Sequence, residues 1–416
     1  MAEFRAPVGT RDVMPPESAR WERLVALFAG QVKRAGYGLV LSPMFEDVGV
    51  FERVGEGTDV VRKEMYDFED KGGRRVALRP EGTASVVRAY VQERPSLPFK
   101  AWYAAPNFRY ERPQGGRFRQ HHQLGVEVLG TDDAHLDVEV VALGWSVCAS
   151  LGLTRVKLLV NSLGDDVCRP GYMHALRAFL SEARLCDEHT ESFRANPLRV
   201  LDCKRDTCRA ATTLAPRILD YLCEPCATHF SRVRAGLESL GVEYHVQPRL
   251  VRGLDYYTRT TFELAATSLR SAQDAVGGGG RYNKLAEALG GPPTPGMGFG
   301  LGIERLLLAC DAENVFPVPP SNLHVWVIDT AGGTAALELT HELRGAGYSA
   351  DRSFDGRSMK SQFKSADRSG AQLVAVVGPG ELEANRVQLQ YLRRTPREET
   401  SVHRSEFINY VRKMLS

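Results

Sequence analysis

No run of about eighteen apolar residues occurs anywhere in the 416 residues, so no membrane-crossing helix is expected. The opening MAEFRAPVGTRD lacks the apolar centre of a secretory leader, which makes the cytoplasm the expected compartment. Gly-Lys followed by Ser or Thr is absent, which excludes a P-loop, and the four glycines at 277–280 do not have dinucleotide-fingerprint spacing. Neither sign of charge dominates: the net charge is +2, so any nucleic-acid surface must be local. Eight cysteines are too few for a disulfide scaffold in so long a chain. Six of them nevertheless fall between positions 168 and 226. With 43% hydrophobic and 25% charged residues, the chain has length for two or three domains and a sizeable core.

What is present is organised around Phe108 to Glu127, FRYERPQGGRFRQHHQLGVE. An apolar run, Ala101 to Phe108, leads in, and the alternating Leu124, Val126 and Val128 lead out, predicting two antiparallel strands around a Pro-Gln-Gly-Gly turn. Arg109, Arg112, Arg117 and Arg119 crowd the arms, and guanidiniums on a rigid sheet suit carboxylate and phosphate because their donors form a fixed fork. A solvated hairpin is the plainer reading of the same residues.

Helical spacing of Leu24, Val25, Leu27, Phe28 and Val32 predicts a helix from Trp21 to Arg34, then a strand, Leu39 to Leu41, stopped by Pro43. Val76 to Arg79 reads as a strand that places Glu81 and Thr83 just past its end. There they could face a ligand ammonium, or be a solvated acid beside a helix-capping threonine. Lys157 to Val160 and Val242 to Val246 read as further strands. Between them, 168–233 is Arg-rich and helical in pattern. Cys203-x4-Cys208 and Cys223-x2-Cys226 have near-zinc spacing there, with Cys186, His189 and His229 close by. Two readings of that cluster stand, a structural Zn2+ site or reduced thiols packed as small hydrophobes. Gly298 to Leu308 reads as a glycine-rich strand entering an apolar helix, whose N-terminus favours phosphate. Phe316 to Pro320 marks a linker, and Leu323 to Ile328 with Leu373 to Gly378 reads as a small parallel βαβ unit.

Phe108-Arg109-Tyr110-Glu111 resembles the second signature motif of class II aminoacyl-tRNA synthetases. Arg109 to Pro113, with His122 to Glu127 and Arg252-Gly-Leu-Asp-Tyr-Tyr257, resembles the histidine-specific members. The resemblance runs in motif order along nearly the whole chain. It implies an α+β catalytic domain on an antiparallel sheet (1–320), a helical insertion that contacts tRNA (168–233) and a C-terminal α/β anticodon-binding domain (321–416). The helix Trp21 to Arg34 with the strand closing on Pro43 resembles the family's first motif, which implies a homodimer joined through it. For function the resemblance implies histidine activation by ATP with Mg2+, then transfer to tRNA, with Arg252 and Arg109 as catalytic residues. By the same resemblance Glu81, Gly82, Thr83, Gln123, Glu127, Tyr256, Tyr257 and Tyr282 hold histidine. Arg109, Glu111, Arg119 and Arg305 hold ATP, and Arg112 and Gln114 meet the tRNA acceptor end. The family's 277–280 segment is expected as a loop along the amino-acid pocket. His121 departs from the family's usual adenine-stacking aromatic. Gly356 to Ser361 echoes the lysine loop of class I synthetases, but no His-x-Gly-His precedes it and it falls in the wrong domain. Arg357, Lys360 and Lys364 read instead as one basic helical face. A regulatory paralogue of these enzymes lacks the C-terminal domain and degrades the Arg-Gly-Leu-Asp-Tyr-Tyr stretch; both are present here.

Overall fold

The computed structural model describes residues 4–55, 58, 60–112, 116–269, 274–321, 323–394 and 399–416. Contacts divide the chain into two units, Met1–Val318 and Pro319–Ser416.

The first unit contains β1 (Gly38–Leu39), β2 (Phe45–Asp47), β3 (Tyr66–Glu69), β4 (Arg75–Leu78), β5 (Phe99–Phe108), β6 (Gln120–Leu129), β7 (Val156–Ser162), β8 (His245–Val246), β9 (Thr258–Ala266), β10 (Ala275–Arg281) and β11 (Gly296–Gly302). Eight of these strands form one sheet in the order β1-β5-β6-β11-β10-β9-β7-β8, antiparallel except for the end pairs β1–β5 and β7–β8; β2, β4 and β3 form a small antiparallel sheet. The expected strand after the first helix pairs only over Gly38–Leu39, and the one near 242–246 only over His245–Val246. Both lie at sheet edges, where one side of the strand has no partner to prolong it.

Strand alternation builds the two faces of the large sheet. In β11 the sequence Gly-Met-Gly-Phe-Gly-Leu-Gly puts Met297, Phe299 and Leu301 into the main core, which also receives Leu124, Val126 and Val128 of β6. Four helices cover that face: Glu17–Arg34, Ala134–Ser150, Glu224–Ser239 and Ile303–Glu313 supply Phe28, Val141, Phe230 and Leu306. The opposite face of β11 is bare glycine. Cross-strand pairing sets Gly298 opposite Glu127, Gly300 opposite Gly125, and Gly125 opposite Tyr103, so these residues share that face. The run 277–280 is a strand and not the expected loop. It lies between β9 and β11, where a Cβ on Gly279 would stand 1.9 Å from the Gly298 carbonyl oxygen.

The helix Glu224–Ser239, partly within the expected insertion, belongs to the main core through Phe230, Val233 and Leu237. A buried charge network fastens it: His229 Nε2 lies 2.8 Å from Asp137 Oδ2, and Arg281 Nη2 lies 2.7 Å from Asp137 Oδ1. The shorter helices between Arg169 and Tyr221 enclose a separate small core of Tyr172, Leu176, Leu180, Val200, Leu201 and Ile218.

The second unit has β12 (Val325–Asp329), β13 (Ala350–Arg352), β14 (Leu373–Val377), β15 (Arg386–Tyr391) and β16 (Glu399–His403), in the order β13-β12-β14-β15-β16. β12 and β14 run parallel and are fully buried, in keeping with the apolar runs Val325 to Ile328 and Leu373 to Val377.

Candidate active site

Arg109, Glu111, Arg117, His121, Gln123, Arg252, Glu304 and Arg305 line one cleft of about 180 Å³, floored by Gly277, Gly300 and Gly302 on the bare face of the sheet. Three guanidiniums from distant parts of the chain therefore meet. Each is aimed by backbone or carboxylate. Arg109 donates from Nε to the Pro80 carbonyl at 2.9 Å, and Arg305 from Nε to the Ala275 carbonyl at 3.0 Å. Arg252 Nη1 reaches Glu263 Oε2 at 3.0 Å. Its Nε is buried with no hydrogen-bond acceptor among the described residues, a donor whose desolvation an anion would offset. Gly278 makes the approach possible, since a Cβ there would sit 2.9 Å from Arg252 Nη1.

Glu304, at the start of the helix Ile303–Glu313, turns back to β6. Its carboxylate accepts from the His122 backbone N–H at 3.0 Å and meets His122 Nδ1 at 2.9 Å, locking helix to hairpin. His121 lies on the cleft wall; burial first, then Arg109, pushes its pKa down to about 3, so it stays neutral. Glu111 is held by Arg117, with Nη1 to Oε2 at 3.1 Å.

A second group of polar residues lies farther along the same face. Glu127 is fully buried, and its carboxylate accepts from Tyr282 Oη at 2.6 Å, Thr83 Oγ1 at 2.7 Å and Tyr103 Oη at 3.3 Å. A carboxyl group has about four lone-pair positions; the hydroxyls take three, and the fourth carries either the group's own proton or a ligand donor. Burial is the main cause that raises the Glu127 pKa to about 8, against the opposing pull of the hydroxyls. The glycines opposite are required by volume: a Cβ at Gly298 would fall 2.0 Å from Glu127 Oε2, and one at Gly125 would fall 2.2 Å from Tyr103 Cζ. Glu81 accepts from the Thr83 and Ala84 backbone N–H groups at 2.6 and 2.8 Å and from Tyr256 Oη at 3.4 Å. The cap of the helix Thr83–Glu93 is thus the Glu81 carboxylate, and the Thr83 hydroxyl is turned to Glu127 instead. Tyr256 lies beside both Tyr257 and Tyr282, with centroids 4.7 and 6.0 Å away.

The family model described as "Histidyl-tRNA synthetase" matches residues 9–306, and that described as "Anticodon binding domain" matches 322–414. The chain belongs to the histidyl-tRNA synthetase family. The histidine–tRNA ligase of Halothermothrix orenii is 46% identical over 399 residues, 94% of this chain and 95% of that protein. That of Rhodococcus erythropolis is 48% identical over 395 residues, 94% and 93%. Among solved structures, apo histidyl-tRNA synthetase of S. aureus is similar with a TM-score of 0.82 at 34% identity, covering 98% of this chain and all of that one.

Within this histidyl-tRNA synthetase family frame, the structure gathers most of the residues singled out from the sequence. Arg109, Glu111, Gln123, Arg252 and Arg305 share the cleft; Glu81, Thr83, Glu127, Tyr256 and Tyr282 form the adjoining polar group. Tyr257 packs over Gly280, and Gly82 leaves room for the Tyr103 ring. Arg119 is placed elsewhere: its guanidinium lies 3.9 Å from the Tyr110 ring centroid and its Nε donates to the Glu111 carbonyl, while Arg117 takes the cleft wall. Gly9 packs against the Arg119 stem, which fixes that choice. Arg112 is exposed, and Gln114 lies outside the described residues. Tyr103 and Asn107 went unread in the sequence; Asn107 Nδ2 donates to Gln123 Oε1 at 2.7 Å. The signal for Tyr103 was an aromatic in β5 facing two glycines, Gly82 and Gly125.

The expected quartet Cys203, Cys208, Cys223 and Cys226 is divided. Cys203 and Cys208 gather with Cys186 and His189, and Cys223 and Cys226 with Asp165 and Cys168. His229 is committed to Asp137.

Proposed function

We infer that the chain joins L-histidine to its tRNA in two steps, forming histidyl-adenylate from ATP and then esterifying the tRNA 3′ end. The observation that carries this reading is the convergence of Arg109, Arg252 and Arg305 on one cleft beside the Glu127 pocket. In the first step the histidine carboxylate attacks the α-phosphorus and pyrophosphate leaves. The nucleophile is already anionic, so placement and charge neutralisation are sufficient and no general base is needed. Arg109 and Arg252 hold the α-phosphate and the carboxylate, and Arg305 holds the γ-phosphate. Of the two cleft acids Glu111 is the better suited to Mg2+: both Glu304 oxygens are taken by the His122 backbone N–H, whereas Glu111, among the described residues, is paired only with arginine side chains that could turn to the phosphates; the ion would neutralise the leaving pyrophosphate.

Glu81 takes the substrate ammonium, with Gln123 beside it. Glu127 accepts one imidazole N–H, and Tyr257 faces the other ring nitrogen. An amino acid without the ring leaves buried Glu127 short of its ligand donor, a mismatch worth up to about 10⁴-fold in selectivity. Arg112 and Gln114 meet the acceptor end. In the second unit a hollow of about 860 Å³, lined by Asp329, Thr334, Arg352, Phe354 and Arg357 among others, offers a stacking surface and cations to anticodon bases; exposed Lys360 and Lys364 extend the basic face. Leu41, Met44 and Phe45 near the first motif are exposed apolar residues suited to a homodimer contact, and the enzyme acts in the cytoplasm. Charging of tRNA with labelled histidine, dependent on ATP and magnesium, tests the reading; absence of histidyl-tRNA with a matched tRNA transcript contradicts it.

A further inference from the structure

Every cysteine of the region 168–226 belongs to one of two four-residue groups, while the other two cysteines, Cys148 and Cys310, are packed in the apolar core. The contrast separates thiols that serve as small hydrophobes from thiols that converge on one another.

In the first group Cys186 Sγ lies 3.1 Å from His189 Nδ1, and Cys208 Sγ lies 3.9 Å from the same nitrogen. All four ligand atoms, Cys203 included, lie within 4.8 Å of one another. Around a tetrahedral zinc, metal–ligand lengths of about 2.3 Å for sulfur and about 2.0 Å for nitrogen place the ligand atoms roughly 3.6–3.8 Å apart. The two contacts of His189 Nδ1, at 3.1 and 3.9 Å, bracket the required spacing, and the 4.8 Å limit on the whole group leaves about 1 Å of contraction for an ion to draw the four atoms in. A backbone donor is already in place, since the Cys186 N–H points to Cys208 Sγ at 3.3 Å.

In the second group, at the neck where the chain enters and leaves the insertion, Asp165, Cys168, Cys223 and Cys226 also lie within 4.8 Å of one another. The Asp165 N–H donates to Cys168 Sγ at 3.2 Å, and Cys223 Sγ lies 3.6 Å from Asp165 Oδ1. Three thiolates and a carboxylate around a dication leave a net charge of −2. Arg259, with Nη2 3.7 Å from Asp165 Oδ2 and Nε buried without a hydrogen-bond acceptor among the described residues, stands beside it.

The fold has a use for such cross-links. The helices Asp187–Ser192, Leu198–Asp202 and Asp206–Ala211 span five or six residues each, too short to persist alone, and they share only a small core. We propose that the insertion holds two structural zinc ions, one on Cys186, His189, Cys203 and Cys208, the other on Asp165, Cys168, Cys223 and Cys226. Each ion displaces three thiol protons on binding. Both lie outside the catalytic cleft and take no part in adenylate chemistry.

Metal analysis of the full-length protein, purified without chelator, gives two zinc per chain. Cys186→Ser and Cys226→Ser each lower the value to one, and Cys148→Ser leaves it at two. Cobalt in place of zinc shows sulfur-to-cobalt charge-transfer absorption of tetrahedral thiolate sites, so the wild type alone is informative should either serine variant fail to fold. Less than a tenth of a zinc per chain, with all six insertion thiols reactive in the native protein before any chelator is added, overturns the proposal. Full zinc retention in the Cys226→Ser protein overturns the neck site.

Discussion

The Tyr282 hydroxyl donates to Glu127 Oε2 across 2.6 Å, joining the residue just past β10 to the middle of β6 over the side-chain-free position Gly298. This bond fixes the acceptor that we propose selects histidine, and it ties that acceptor to a glycine pattern in β11.

Glu127 gives the protein a characteristic pH dependence. Its folded pKa, about 8, lies above the ordinary 4.5, so the folded protein holds this proton more tightly than the unfolded chain does. The resulting stability is complete below about pH 4.5 and is lost as pH rises toward 8, at up to ~1.4 kcal/mol per pH unit. Denaturant titrations of ligand-free wild type and Glu127→Gln between pH 5 and 8.5 check this. The wild type loses ground to the variant as pH rises; parallel curves contradict the assignment.

Arg252→Ala removes a cation held against the glycine floor without removing any core side chain. ATP–pyrophosphate exchange should fall by about 10²–10³ or more in kcat, with far-ultraviolet circular dichroism unchanged. Near-normal exchange contradicts its role.

Asp137 is the only anion of the described residues within ion-pair distance of both Arg281 and His229, and it is fully buried with Arg281. Asp137→Asn leaves Arg281 with the exposed Asp132, 3.3 Å from its Nη1, as counter-ion, and unfolding free energy should drop by roughly 1.5–3 kcal/mol, the worth of a hydrogen bond to a charged group. Equilibrium unfolding measures it; a loss under 1 kcal/mol would show the network to be dispensable.

Gly125→Ala sets a methyl 2.2 Å from the Tyr103 ring, which backbone on both sides confines. Stability should fall by about 1–3 kcal/mol, and the KM for histidine should rise more than that for ATP, because Tyr103 bonds Glu127 and not the cation cleft. Equal changes in both constants would contradict that division.

The fold was legible where the sequence carries a strict period. Gly-Met-Gly-Phe-Gly-Leu-Gly specifies a strand with one packed and one bare face, and the arginine hairpin specifies its neighbour. Arg109, Arg252 and Arg305 could be placed together by motif order. The choice of Arg117 over Arg119 could not, since both stand on one arm and what separates them is tertiary: Gly9 against the Arg119 stem, Tyr110 under its guanidinium, and Glu111 paired with Arg117. Cysteine spacing failed for a related reason. Proximity in sequence pairs 203 with 208 and 223 with 226, but the partners that complete each group, Cys186 with His189 and Asp165 with Cys168, are brought by the helices between. Strand ends at the sheet edges were overread because apolar sequence persists where pairing stops.

The most direct test is ATP–pyrophosphate exchange by the purified protein with each of the twenty amino acids in turn. Exchange that depends on histidine, with every other amino acid lower by about three orders of magnitude or more, is the expected result. Exchange driven by a different amino acid, or none with histidine, contradicts the account.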